Sequence, residues 1–536
     1  MKSIKINIFL MLAVVIMITS CKKNYLTRPP LTGITTSNFY KSTSDMRLAT
    51  AALYAQPWFN WNNFPLLGIG DIMSGNMLQP YNADLAQFAS FSITSNNSYV
   101  TQAWQGFFDI VAHCDINIKA INTQLPDSVP AKNKNAALGE LKFLRATAYF
   151  HLVQLWGAVP IIEDNDKLTA NPLVPRNNVT DVYKFIINDL RFAVASLPTS
   201  DQPGRVTTWS AQGMLAKVYL TRAGLGQSGT RNQTDLDSAA YFAGKVCNTS
   251  GLTLLPSYYN LFKTQYNDNQ ESLFAFQWAP GVGYGNGNDI EAQFAPSGNL
   301  VSGGGGWGGA IGPTVDLANL YIPADSIRRK ATYMLTGDHY PELDAAHGGY
   351  TATGCNVKKH IVGTAADNSS PTMDLWSSIE HNTVLRLADV YLVYAEALLG
   401  NNASTSNAQA LQYFNAVRTR AGVPTVTSLT DSIIFRERRI ELAFEGQYWF
   451  DLVRRSYYDP AGAIKVLHDQ IKEKKDGDNT SMPRTLFTYN PATGVITPSA
   501  NGMLISEPTI ATFTLPIPAN DQTADPKLLQ APVPYY

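Results

Sequence analysis

The sequence lacks an excess of charge of either sign. Its 41 Lys and Arg face 42 Asp and Glu, a formal net charge of −1 over 536 residues. A polyanion-binding protein needs a basic face, so nucleic acid is not an expected partner. Cysteine is scarce too. Cys114, Cys247 and Cys355 lie far apart, without the Cys-x-x-Cys spacing of a zinc or redox site. Three such residues allow at most one disulfide, and buried free thiols are the expectation. The seven histidines are scattered. His339 and His347 share a loop with Asp338, Glu342 and Asp344, but the spacing fits no metal template, and no EF-hand-type calcium loop is present. Gly303–Gly306 lacks the Lys-Ser/Thr ending of a phosphate-binding loop. No cofactor is therefore expected. Past the first twenty residues no hydrophobic run offers a membrane anchor.

What is present is a foldable composition, 45% hydrophobic and 15% charged, with 26 Tyr and 9 Trp. The start of the chain reads as a targeting segment: Lys2 and Lys5, then the apolar run Ile8–Ile18, too short to span a bilayer as a helix. It ends Ile18-Thr19-Ser20-Cys21. An apolar residue three before the cysteine and a small residue just before it resemble the bacterial lipobox, which implies cleavage before Cys21 and acylation of that residue. Residues 22–36, with Pro29-Pro30, read as a polar stalk.

The most charged stretch is Phe435–Arg455, FRERRIELAFEGQYWFDLVRR. At helical spacing Ile434, Leu442, Ala443, Phe450 and Val453 share an apolar face. Glu437, Glu441 and Glu445 recur every four residues beside Arg436, Arg438 and Arg439, so pairing with arginines of this or an adjoining helix is expected. With no partner nucleophile, metal cluster or cofactor loop, these carboxylates read as an ion-pair lattice and not as a catalytic pair. Gly446 marks a close backbone approach or a kink.

Helical spacing recurs along the chain. Phe39–Ala55 is an expected helix with a cap at Ser42 or Ser44 and Asp45. Trp104–Ile121, Ala137–Trp156 and Asp181–Leu197 follow, the last with Thr180 as expected cap. Thr208–Ala223 with Asp235–Asn248, and Leu385–Gly400 with Ala408–Ala421, form helix pairs. Their small residues, such as Ala211, Ala216, Ala239 and Ala243, suit tetratricopeptide-like hairpins. Ser272–Trp278 reads as a strand, and Val315–Leu335 as partly helical. Two regions hold no period: 56–99, expected to be mostly loop, and 252–383. The tail Thr512–Tyr536, studded with proline, is expected to drape over the surface. Long loops on a rigid scaffold often carry function.

Both irregular regions mix aromatic rings with Asn, Asp and Gly. Such a mixture leaves room for a stacking surface, with apolar ring faces to pack on a ligand and a few polar side chains to meet it. In the first, Trp58, Trp61 and Tyr81 lie near Asn60, Asn62, Asn63, Asp71 and Asn76. In the second, Tyr284 and Trp307 lie near Asn286, Asn288 and Asp289. The candidate ligand-binding residues are Trp307, Tyr284, Trp58, Trp61, Tyr81, Asp71, Asn288 and Asp289. Trp104, Trp156, Trp209 and Trp449, on helices, are expected to be packing.

Five ordered segments resemble the SusD/RagB family of outer-membrane nutrient-binding lipoproteins from Bacteroidetes: Ala146–Pro160 (ATAYFHLVQLWGAVP), Thr208–Gly224, Leu385–Leu399 with Asn415–Pro424 (NAVRTRAGVP), Glu437–Arg454, and Leu515–Pro518 followed by Asp525-Pro526 and Gln530. The resemblance implies a mainly α fold of about four tetratricopeptide-like units, with long irregular loops and minor β on the ligand face. It implies a lid over a SusC-like, TonB-dependent transporter, binding glycan for import without cleaving it. Lys22 and Lys23 follow the cysteine where surface-exported relatives often carry acidic residues. The expected organisation is a signal peptide at 1–20, a lipidated stalk at 21–36 and one domain at 37–536. Within that domain the helical scaffold occupies 37–251 and 384–470, the loop-rich insertions 56–99 and 252–383, and an extended segment 471–536. The alternatives are a surface glycoside hydrolase, which would need two facing carboxylates such as Asp71 and Asp289, a lid for peptide cargo, and a scaffold subunit whose loops touch only protein.

Overall fold

The computed structural model describes residues 39–79, 81–470, 485–499 and 506–536. The expected signal peptide, the lipidated Cys21 and the stalk lie outside the described residues, as do 471–484 and 500–505 of the C-terminal segment.

The apolar repeats at spacings of three and four become helices, and short polar side chains close their N-termini. Helix α1 (Thr43–Ala51) starts at Ser42, whose hydroxyl accepts from the Asp45 amide. Helix α2 covers Ala83–Ser90, and α3 covers Ser98–Gln124 with Asn97 accepting from the amides of Tyr99 and Val100. Helix α4 is Ala131–Trp156, α5 Val179–Ser196, α6 Thr208–Arg222 and α7 Gln233–Thr249. Helix α5 begins before the expected cap: Asn178, not Thr180, holds that position. After the short α8 (Ile290–Phe294) come α9 (Leu387–Leu399), α10 (Ala408–Ala421), α11 (Asp431–Glu441), α12 (Tyr448–Ser456) and α13 (Pro460–Asp469).

Each long helix packs on its successor, from α3 on α4 through α5, α6 and α7 to α9 and α10. The fold is thus mainly helical and tetratricopeptide-like, stacked so that neighbouring hairpins share one core. Helix α4 lies deepest. From Ala137 to Trp156 every residue except Lys142 is buried, which a helix tolerates only when it is surrounded on all sides. Strand content is minor. Ser272–Ala275 pairs antiparallel with Thr383–Arg386, leading straight into α9, and the other described sheets are two-stranded as well.

Two expectations need correction. Residues 56–99 are not mostly loop. They hold a 3₁₀ turn at Gln56–Trp58, a π-helix at Leu66–Ile72 with all seven residues buried, and α2. Such turns satisfy the backbone with hydrogen-bond spacings that a search for a 3.6-residue period misses. The charged stretch is not one helix but two, α11 and α12, broken at Leu442–Gln447. Phe444 and Gly446 there have φ of +64° and +69°. Gly446 also abuts Gly70, where an added Cβ would come within 2.5 Å of the Gly446 Cα. The kink and the close approach read from Gly446 are one feature.

The tail is part strap, part helix. The amide of Leu515 donates to the carbonyl of Leu155, that of Ala519 to Ser95, and that of Val533 to Arg176, while Ala519–Ala524 forms a short helix.

Candidate functional site

A cluster of rings lies at the surface on three neighbouring loops. Trp307 is 48% exposed and Tyr284 59% exposed. Between them stands the half-buried Trp376. The Trp307 and Trp376 rings stack at 5.1 Å with 27° between planes, and Tyr284 meets Trp376 at 5.1 Å and 76°. Phe59 supports Tyr284 from below at 5.1 Å and 83°. Beyond Tyr284, Tyr99 stacks on Phe64 at 5.0 Å, and its hydroxyl accepts from Asn82, the neighbour of the open Tyr81. Burial raises the Tyr99 pKa, against the Asn82 hydrogen bond that lowers it, with Asp84 and Tyr284 adding to the rise.

The loops converge on α8. The Trp307 amide donates to the Ala292 carbonyl at 2.9 Å, so its loop lies flat on that helix. Only glycine fits next to it: a Cβ on Gly308 would sit 2.0 Å from the Phe294 carbonyl oxygen. The Trp376 loop is fastened by Ser377, whose hydroxyl donates to Ala279, and by the Ser378 amide, which donates to the Asn288 carbonyl. The Phe59 loop is held by amide side chains. Asn62 donates to Asn288 at 3.3 Å and to Asn382 at 2.8 Å, and Asn63 donates to Asp289 at 3.1 Å.

Trp307, Tyr284 and Tyr81, three of the eight expected contact residues, stand at the surface. The other five do not. Trp58 is fully buried, donates its indole N–H to Leu53 and stacks on Phe276 at 4.9 Å. Trp61 is enclosed by Phe107, His151 and Phe450. Both fill the core because the irregular 56–72 segment folds inward. Asp71 accepts from the amides of Phe444 and Gly446 and from Asn76, closing the break between α11 and α12. Asn288 and Asp289 are buried in the amide cluster under the rings. A ligand on the surface reaches none of these five. Polar side chains that do reach solvent on the same loops include Asn60, Asn286, Thr372 and Asp374.

Trp376, Phe59 and Tyr99 were not legible as site residues. Trp376 did carry a signal, because it sits in the same unperiodic region as Trp307, in the polar run Met373–Ser378.

Comparison with known proteins fits this architecture. A family model described as SusD family matches residues 270–536, and one described as starch-binding, associating with outer membrane, matches residues 47–220. A SusD-like protein of Bacteroides ovatus is 36% identical, the match covering 97% of this chain and 96% of that protein. The chain belongs to the SusD family. A solved structure described as being with xylogluco-oligosaccharide superposes with a TM-score of 0.82 at 36% identity, covering 92% of this chain and 99% of that one. A laminarin-binding SusD-like protein, at 24% identity and a TM-score of 0.67, shares the fold; the match covers 93% of this chain and 100% of that one.

In this SusD-family chain the conspicuous charges serve the scaffold. Glu441, fully buried, binds Arg386 at 2.7 Å and Arg328 at 2.9 Å, and also pairs with Arg420. Glu437 binds Arg328 at 2.7 Å, and Glu445 bridges Arg386 and Lys359 at 2.8 and 2.9 Å. Burial alone would raise the Glu441 pKa, but Arg420, Arg386 and Arg328 outweigh it and hold the carboxyl well below its usual range. Under the rings the balance is reversed. Burial pushes Asp289 up to about 7 and Glu291 up to about 8, with amide and backbone donors as the chief opposing groups.

Proposed function

We propose that this chain is a lipid-anchored, glycan-binding protein of the outer membrane. It holds an oligosaccharide on the Trp307, Trp376 and Tyr284 face and delivers it uncut to a SusC-like TonB-dependent transporter. The observation that carries the reading is the set of exposed rings on adjoining loops. A pyranose offers a C–H face to such rings, and Asn60 and Asn286 supply donors and acceptors for its hydroxyls. The xylogluco-oligosaccharide of the 36%-identical relative makes a xylose-bearing glucan fragment the first ligand to try. Binding without cleavage fits the carboxyls as they stand. Asp71 and Asp289 are both buried, Asp71 committed to three donors and Asp289 enclosed beneath the rings, so neither faces a sugar across an open site. A peptide lid would keep the same architecture, but the uncharged ring surface matches sugar better than a charged chain. Among the described residues no helix is long and apolar enough to cross a membrane, and acylated Cys21 is the proposed anchor.

The test is calorimetric titration of the purified protein with xylogluco-oligosaccharides, followed by chromatography of the ligand. Binding with the ligand recovered intact is expected. Shortened products, or no binding to any oligosaccharide, would overturn the reading. Cys21→Ser is expected to move the protein out of the membrane fraction, and retention there would remove the anchor from the account.

A further inference from the structure

The four ring residues Phe59, Tyr284, Trp307 and Trp376 sit on separate loops; three of these loops are hydrogen-bonded to one short helix or the residues that open it, and the fourth, that of Tyr284, leads into it. At the start of α8, Asp289 accepts from Asn63, and Asn288 accepts from Asn62 while its carbonyl holds the Ser378 amide. In the middle, the Ala292 carbonyl holds the Trp307 amide. On the other side, Glu291 accepts from the amides of Val362 and Gly363 at 2.7 and 2.8 Å. Asp289 is 0% exposed and Glu291 2% exposed, so neither can touch a ligand. One oxygen of Asp289, Oδ1, is buried without any hydrogen-bond partner.

Building on the proposed glycan-binding reading, we propose that Asp289 and Glu291 are positioning residues for glycan binding. Asp289 clips the Phe59 loop to α8, Glu291 fixes the other side of that helix to Val362 and Gly363, and together they set where α8 holds the loops that carry the rings. A buried carboxyl with amide donors and no cation beside it is held best when neutral. The groups around the pair agree. Asp289 has only Asn63, Gln293 and its own amide as opposing donors. Glu291 is raised further by Glu380, which is engaged by His360. Lys358, the buried cation on that side, has its own pKa lowered by burial, with Glu291 among the acids that oppose this. The other titratable groups on the flanking loops include Asp367, which lies against Gly363, exposed Asp374, Asp268 with His381, and the two tyrosines Tyr99 and Tyr284.

The sign follows from the raised values. Ionising either carboxyl strengthens its individual hydrogen bonds but leaves a charge buried, so the stability the pair gives the folded loops is full while both stay protonated, falls as pH rises from the ordinary carboxylate range through about 7 for Asp289 and about 8 for Glu291, then levels off. The first experiment is amide hydrogen exchange of wild-type protein across this range, corrected for the intrinsic pH dependence. Protection of residues 284–289 and 376–378 is expected to fall as pH rises. Constant protection overturns the clip, whether or not any glycan binds. The second is titration with a xylogluco-oligosaccharide. Wild-type affinity is expected to drop about threefold or more between pH 5 and pH 8, and Asp289→Asn with Glu291→Gln to stay within about twofold over that span. Trp307→Ala is expected to bind weakly at every pH. A flat wild-type profile, or an equal slope in the double variant, overturns the positioning role. If the double variant does not fold, the wild-type exchange and affinity profiles decide.

Discussion

The lattice around α11 and the ring face above α8 are built from opposite materials. The lattice concentrates charge and buries it: Glu437, Glu441 and Glu445 are each met by cations within a few ångströms. The ring face carries little charge and leaves its largest side chains in solvent. What looks most chemical in this chain is therefore structural, and what looks like loop carries the proposed contact with the outside. Removing one partner of a buried ion network strands the rest, whereas removing an exposed ring strands nothing in the protein.

That contrast can be broken from either side. The largest effect is expected from Glu441→Gln, which leaves Arg328, Arg386 and Arg420 short of a carboxylate. A loss of about 3–5 kcal/mol in denaturant unfolding should follow, with glycan affinity of the folded fraction unchanged. Acid should remove the same contribution by degrees. Glu441 and Glu445 are held below their usual range, so their stabilisation is present above the unfolded carboxylate value near 4.5 and is lost as pH falls through the depressed one. Thermal melts should therefore weaken below about pH 4.5, the opposite direction to the clip under the rings. Trp307→Ala with Tyr284→Ala should cost at least about tenfold in affinity, or 1.4 kcal/mol, while stability shifts by less than about 1 kcal/mol. Collapse of the fold, or unchanged binding, would erase the distinction. Trp376→Ala removes the ring that the other two rest on, and should cost about 0.5–1.5 kcal/mol in affinity. Tyr81→Ala, at the far edge, should change affinity by only about twofold.

The helices were legible because burial imposes a period on them, and α3, α4, α6, α7 and α10 fall close to where the apolar spacing puts them. The pairing of Glu437 and Glu441 with arginines was legible from spacing, but Arg328 and Arg386 come from distant parts of the chain that only tertiary structure joins. Trp58, Trp61 and Asp71 were misread for one reason. Lack of a 3.6-residue period reads as exposed loop, whereas 56–72 winds through 3₁₀ and π turns and is largely buried. Asn288 and Asp289 were misread in a related way, since a polar residue beside an aromatic one can hold the loop as readily as the ligand. Trp376 shares the unperiodic region of Trp307, but only tertiary structure brings its ring against Trp307 and Tyr284.

The stacked indoles have one more consequence. Two such chromophores 5.1 Å apart share their excited states, so the pair should produce a signed couplet from the strong indole band in far-ultraviolet circular dichroism. Anything that wedges between them or reorients either ring would alter that couplet, giving the molecule an optical gauge of occupancy that needs no label.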